Sequence, residues 1–169
     1  AGMLKVLFAG ALEESGNPAE ILARINDHLS DVTLDEDFAS MAVASFDRHS
    51  RTLRFASAGH EPAYLLHEDA VENTLDSTGP VLGMMEGMSW ECTEIRPPEG
   101  SKLVLFTDGV SETRNEQGEF YGLERLMSFV AHHQGGDPDQ LLAAIVQDID
   151  SFRGEQRQFD DVTLLAVGF

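Results

Sequence analysis

Two short stretches of this sequence place carboxylates where a cation could be held. In "LVLFTDGV" four apolar residues and Thr107 lead to Asp108, and Gly109 follows. In "QFDDVTLLAVGF" the order is mirrored: Asp160 and Asp161 stand just before the closing apolar run. Carboxylates at strand ends, next to a glycine that admits a close approach, suit a hard ion. Mg2+ and Mn2+ take oxygen ligands in a near-octahedral set, part carboxylate and part water. Residue types alone leave a plainer reading open and give it more weight. Asp-Gly is a common turn dipeptide, and an Asp pair before a strand can simply be solvated.

The elements that must position these residues are legible in the hydrophobic pattern. Residues 1–15 carry Met3, Leu4, Leu7, Phe8, Ala11 and Leu12 at helical spacing, and Gly16 stops that helix. Asn17 caps a second helix with Pro18 at its first position and Glu20 three residues after the cap; Ile21, Leu22, Ile25 and Leu29 form its stripe. From Phe38 the period changes. "FASMAVASFD" and "TLRFASAG" read as strands joined by the turn "DRHSR", with "PAYLLHED" as a third. "WECTEIRPPEGSKLVLFTD" holds two more, broken by Pro97, Pro98 and Gly100. Two helices return. One carries Leu123, Leu126, Met127 and Val130; the other starts at Asp137-Pro138 and carries Leu141, Leu142, Ile145 and Ile149. "VTLLAVGF" closes the chain as a strand. Strands in direct succession imply an antiparallel sheet, and the order of elements is that of an α+β domain with helices on sheet.

Composition bounds the function. The 169 residues suffice for one domain with a real core, and a hydrophobic content of 42% argues for a globular chain. The net charge of -19 disfavours nucleic acid and anionic membranes as partners, because their phosphates would be repelled, and is compatible with cation binding. A single cysteine, Cys92, excludes an intrachain disulfide and a cysteine zinc site and fits a reducing, cytoplasmic setting. No apolar run approaches a membrane span, so direct membrane insertion is not expected.

Other residues carry weaker signals. His60 in "SAGHEP" invites a general-acid role, but a lone histidine after a strand is more often a turn residue. His132 and His133 fall at a helix end, where solvation and the helix dipole account for them. Met84, Met85 and Met88 could form a soft contact surface, although loop packing is the commoner role. Arg114 could meet a phosphate, with a surface ion pair as the default. Ser57, Ser111 and Thr163 offer hydroxyls without the order of a Ser-His-Asp nucleophile motif.

Four segments in order, "LRFASAGHEPAYLL", "LDSTGPVLGM", "LVLFTDGVSETRNEQGEFYGLERL" and "QFDDVTLLAV", resemble the bacterial PP2C-type metal-dependent serine/threonine phosphatases of the stress-response and sporulation branch. "NPAEILARINDHL" and "FASMAVASFD" also fit, so the resemblance covers nearly the whole chain. It implies a PP2C-like β-sandwich flanked by antiparallel helix pairs. It implies two Mn2+ or Mg2+ ions that activate a water for attack on phosphoserine or phosphothreonine, with no covalent intermediate. The implied metal aspartates are Asp108 and Asp160. Gly109 completes the "TDG" motif, and Asp161 takes a position usually filled by Asp or Asn, as a supporting group behind the ligands. The implied substrate is a phosphorylated regulatory protein of the anti-sigma-factor-antagonist type.

The family carries two further metal aspartates upstream, one in a "GDYYD"-like strand and one in a "DxSGHG"-like turn, and neither pattern occurs in this sequence. Residues 1–169 are therefore expected to be the C-terminal portion of the phosphatase domain, with a sandwich incomplete at its N-terminus and no catalytic activity alone. Activity by these residues alone would require Asp37, Glu112, Asp161 or another carboxylate to complete the site. Missing strands would leave unpaired backbone and apolar surface, so self-association into a homo-oligomer is expected. The alternative is a degenerate, non-catalytic domain that binds a sigma-pathway partner or dimerises.

Overall fold

The computed structural model describes residues 2–32, 38–68, 70–132 and 136–169. In chain order its elements are α1 (Gly2–Glu14), α2 (Pro18–Val32), β1 (Met41–Asp47), β2 (Thr52–Ala58), β3 (Ala63–His67), β4 (Ala70–Leu75) and β5 (Thr93–Ile95). They continue as β6 (Lys102–Phe106), α3 (Asp108–Ser111), α4 (Leu123–His132), α5 (Pro138–Arg153) and β7 (Leu164–Gly168). Two compact units result. One comprises Ala1–His60 and Asp76–Pro97; the other comprises Glu61–Leu75 and Pro98–Phe169.

In the first unit β1, β2 and β5 form an antiparallel sheet in that order. Ile21, Leu22, Ile25 and Leu29 of α2 are buried with Ala11 of α1, Val43 of β1, Ala56 and Ala58 of β2, and the loop residues Leu82 and Trp90. Burial of each such aliphatic side chain contributes about 1.5–3 kcal/mol. The start of α2 follows from its capping residues. Asn17 Oδ1 accepts from the Ala19 N–H at 2.9 Å, while the Ser15 hydroxyl accepts from the Asn17 N–H at 3.0 Å and donates to Glu20 at 2.6 Å. The first helix departs from the expected stripe. Leu4, Leu7 and Phe8 are partly buried against Ala11 and its neighbours, but Met3 and Leu12 are exposed. Apolar residues lie all round α1, so periodicity could not single out its buried face.

In the second unit the antiparallel sheet runs β4-β3-β6-β7. Tyr64 and Leu66 of β3 and Val104 and Phe106 of β6 share one face, as the period of two requires. They form a core with Leu126 and Val130 of α4 and Leu141, Ile145 and Ile149 of α5. Ala63, Leu65 and Leu103, on the alternate face, are buried as well. Strands covered on both faces read as continuous apolar runs, which is how "AYLL" and "KLVLF" read. Asp137 caps α5 by accepting from the Gln140 N–H, with Pro138 at the first turn.

Two elements escaped the sequence pattern. β4, "AVENTL", is a mostly exposed edge strand held by backbone pairing to β3 across a register shift at Leu65/Leu66. α3 is a single four-residue turn, too short for any period. Among the described residues no helix is long and apolar enough to cross a membrane.

Candidate functional site

β6 and β7 are antiparallel neighbours, with Phe106 opposite Leu164. The end of β6 therefore lies beside the start of β7. Mirror order in sequence is what such pairing needs to bring two acidic stretches to one end of a sheet. The contact continues past the strands. The Thr107 N–H donates to the Thr163 carbonyl at 3.1 Å, and the Thr163 N–H donates to Thr107 Oγ1 at 3.0 Å. The Thr107 hydroxyl donates in turn to the Asp161 carbonyl at 3.1 Å. Gly109 closes the joint: a Cβ on it would stand 2.3 Å from the Asp161 carbonyl oxygen, so no side chain fits.

Asp108 and Asp160 each spend one carboxylate oxygen locally. Asp108 Oδ1 accepts from the Gly109 N–H at 2.9 Å, and Asp160 Oδ1 accepts from the Asp161 N–H at 2.7 Å. Both side chains are exposed and have a second oxygen available. Asp161 joins the site through its carbonyl, which takes the Thr107 hydroxyl.

A third carboxylate reaches the same sheet end. β3 pairs antiparallel with β6, Tyr64 opposite Val104, which sends Glu61 toward the loop after β6. Burial, then the charges of Asp108 and Glu112, push the Glu61 carboxyl above its ordinary value. Sequence reasoning passed over Glu61 in favour of its neighbour His60. The available signal was its place two residues before the start of the apolar strand "AYLL", as Asp108 stands two residues after the end of "LVLF".

The donor set is nevertheless short of a metal centre. Among the described residues no three His, Cys, Asp or Glu side chains converge to hold an ion. Asp37 lies outside the described residues, as does His133.

A cavity of about 240 Å³ adjoins the site. Gly109, Glu112 and Asp160 border it together with Arg114, Arg153 and Arg157. Arg114 lies over the Phe120 ring, 4.4 Å from its centroid, and makes no ion pair among the described residues.

The remaining candidates are engaged elsewhere. His60 Nδ1 shares a hydrogen bond with Ser40 Oγ at 3.1 Å within the first unit. His132 Nδ1 bonds the Ser128 carbonyl one turn back, at 2.6 Å. Met84 and Met85 are exposed, while Met88 packs against the first unit's core. Cys92 is half-buried, and burial pushes its thiol above the ordinary value.

Comparison with known proteins bears on the whole chain. The family described as stage II sporulation protein E (SpoIIE) matches residues 1–169. Protein IcfG of Synechocystis sp. is 32% identical over 130 residues, 77% of this chain and 20% of IcfG. Phosphoserine phosphatase RsbU of Bacillus subtilis is 27% identical over 166 residues, 98% of this chain and 49% of RsbU. The chain thus spans half or less of the length of these relatives. The SiaA-PP2C domain of Pseudomonas aeruginosa superimposes with a TM-score of 0.86 at 24% identity, covering 99% of this chain and 66% of that one. The phosphatase domain of SpoIIE from Bacillus subtilis, presoaked with Mn, superimposes with a TM-score of 0.65 at 20% identity, covering 98% of this chain and 72% of that one. The fold is that of the PP2C phosphatase domains.

Proposed function

We propose a function from one premise: the chain belongs to the stage II sporulation protein E (SpoIIE) family. The function is metal-dependent hydrolysis of phosphoserine or phosphothreonine in a protein substrate. It is performed by a longer protein to whose PP2C-type domain residues 1–169 contribute the C-terminal portion. The observation that carries this reading is the joint at the end of β6 and β7, where the loops of Asp108 and Asp160 are locked side by side through Thr107, Gly109 and Thr163. Asp108 and Asp160 are the proposed ligands, each with a free oxygen. Gly109 permits the close packing, and Asp161 supports the joint. The ions are Mn2+ or Mg2+, matching a hard, all-oxygen donor set. Two aspartates cannot fill an octahedral site, and the further ligands are proposed to come from outside the described residues.

The same reading assigns the partner as a phosphorylated regulatory protein of the anti-sigma-factor-antagonist type, the setting as cytoplasmic, and self-association as an outlet for exposed apolar surface. A second reading, a non-catalytic module that binds a sigma-pathway partner or dimerises, is favoured by the short donor set.

Hydrolysis of p-nitrophenyl phosphate with Mn2+ separates the two. The 169-residue chain is expected to show no metal-dependent turnover. A longer protein that carries the upstream acidic motifs is expected to turn over, and Asp108→Ala in it to abolish activity. Turnover by the 169 residues alone would refute the claim that ligands are missing. A longer protein that is folded, metal-loaded and inactive would hand the function to the binding module.

A further inference from the structure

The cavity beside Asp160 gathers positive charge in a chain that has little of it. Only 11 residues are Lys or Arg against 30 Asp and Glu, yet three arginines border this one space. They come from different places: Arg114 follows α3, Arg153 ends α5, and Arg157 lies in the loop toward β7. Their hydrogen-bonding capacity is largely unspent. The Arg157 and Arg114 side chains make no hydrogen bond or ion pair among the described residues, and Arg114 lies over the Phe120 ring. Arg153 donates to Asp150 at 2.6 Å and to Gln158 at 3.3 Å, but its Nε is buried without a partner. The unspent donors that border the cavity are therefore those of Arg114 and Arg157.

We propose that this cavity docks a carboxylate side chain of the substrate protein, placed next to the residue that is dephosphorylated. The proposal rests on the phosphatase reading for what the docked chain is, and on the arginines for its chemistry. A guanidinium presents its donors as a planar fork that matches a carboxylate bidentately. A carboxylate suits the space better than a second phosphate, because Glu112 and Asp160 also border it and repel a dianion more strongly than a monoanion. Phe159, 76% exposed, borders the cavity and offers apolar contact to the methylene stem of an incoming glutamate. The cavity is therefore a specificity site: it attracts an acidic segment to a surface that otherwise repels one.

The test is equilibrium binding of fluorescent peptides to the 169-residue chain without metal, read by anisotropy at low and physiological salt. One peptide carries an unphosphorylated serine flanked by glutamates, and its partner has glutamines instead. The glutamate peptide is expected to bind more tightly. Arg157→Gln and Arg114→Gln should each weaken it by about tenfold, the loss expected for a charge-assisted bond. Arg48→Gln, an exposed arginine outside the cavity, should leave it unchanged. Equal binding of the two peptides, or an equal loss in Arg48→Gln, would overturn the proposal. So would a phosphoserine-glutamine peptide that binds as tightly as the glutamate peptide and loses that binding in Arg157→Gln. Because the glutamate and glutamine peptides being compared carry no phosphate at the reacting serine, a failure of the phosphatase reading would appear in the hydrolysis assay and leave this result intact.

Discussion

At Gly109 a single missing side chain decides how two loops meet. A Cβ there would fall 2.3 Å from the Asp161 carbonyl oxygen, and the obstacle is backbone, which cannot rotate away. Gly109→Ala should therefore cost about 1–3 kcal/mol, the usual range for overpacking. Urea denaturation of the variant is expected to show a lower midpoint with an unchanged slope. Wild-type stability in Gly109→Ala would mean that the joint yields, and that the side-by-side arrangement of Asp108 and Asp160 is not locked. The glycine was legible in "TDGV" as a candidate for close approach, but what it approaches was not. The Asp161 carbonyl is 52 positions away in sequence, and no local pattern records it.

Helix α5 depends on its ends and on one lateral network. Asp137 supplies the cap, its side chain accepting from the Gln140 N–H at 2.9 Å. Asp137→Ala should cost about 1 kcal/mol, measurable as a lower melting temperature; no change would mean that water or a neighbour replaces the cap. Across to α4, Asp148 accepts from Arg125 Nε at 3.1 Å and Nη2 at 3.0 Å, and from the Tyr121 hydroxyl at 2.8 Å. Arg125 also lies over Tyr121 and Phe152, 5.2 and 4.8 Å from their ring centroids. Burial, then the bond to Asp148, hold the Tyr121 phenol above its ordinary value of 10.0. A raised folded-state value means that the protonated phenol stabilises the fold below pH 10.0, and that this contribution is lost as pH rises through the folded value. Tyr121→Phe should lose about 1–2 kcal/mol near neutral pH, because the hydroxyl donor to Asp148 is removed. It should also flatten the alkaline decline in stability. Parallel alkaline profiles for wild type and Tyr121→Phe would show that the phenol does not titrate differently in the folded state.

For the molecule as a whole, the exposed apolar surface is the feature with consequences. Leu165 and Val167 on the edge strand β7 are 53% and 40% exposed, and Val6 on α1 is 72% exposed. An edge strand with apolar residues and unpaired backbone groups is a template for pairing. The chain is expected to self-associate, and light scattering across a concentration series checks this. A stable monomer at high concentration would show that the net charge of -19 outweighs these exposed residues. Leu165→Lys should shift any such equilibrium toward monomer, because a charge on an edge blocks strand addition.

Among the described residues, four of the five helices, six of the seven strands and the acidic stretches were determined by sequence alone, because period, caps and turn residues act over a few positions. Asn17-Pro18 and Asp137-Pro138 start α2 and α5 where their caps dictate. The continuous apolar runs of β3 and β6 announce strands covered on both faces. The tertiary structure alone decided what lies beyond local range. Pairing to β3 makes a strand of "AVENTL", whose own pattern is weak. Packing chose which side of the evenly apolar α1 would be buried. Strand order and register brought Glu61 and the loop of Asp160 to the loop after β6, and gathered Arg114, Arg153 and Arg157 around one cavity. Residue types state what a site could bind; the pairing of distant strands decides which of them stand together, because that choice is made by long-range burial and backbone hydrogen bonding.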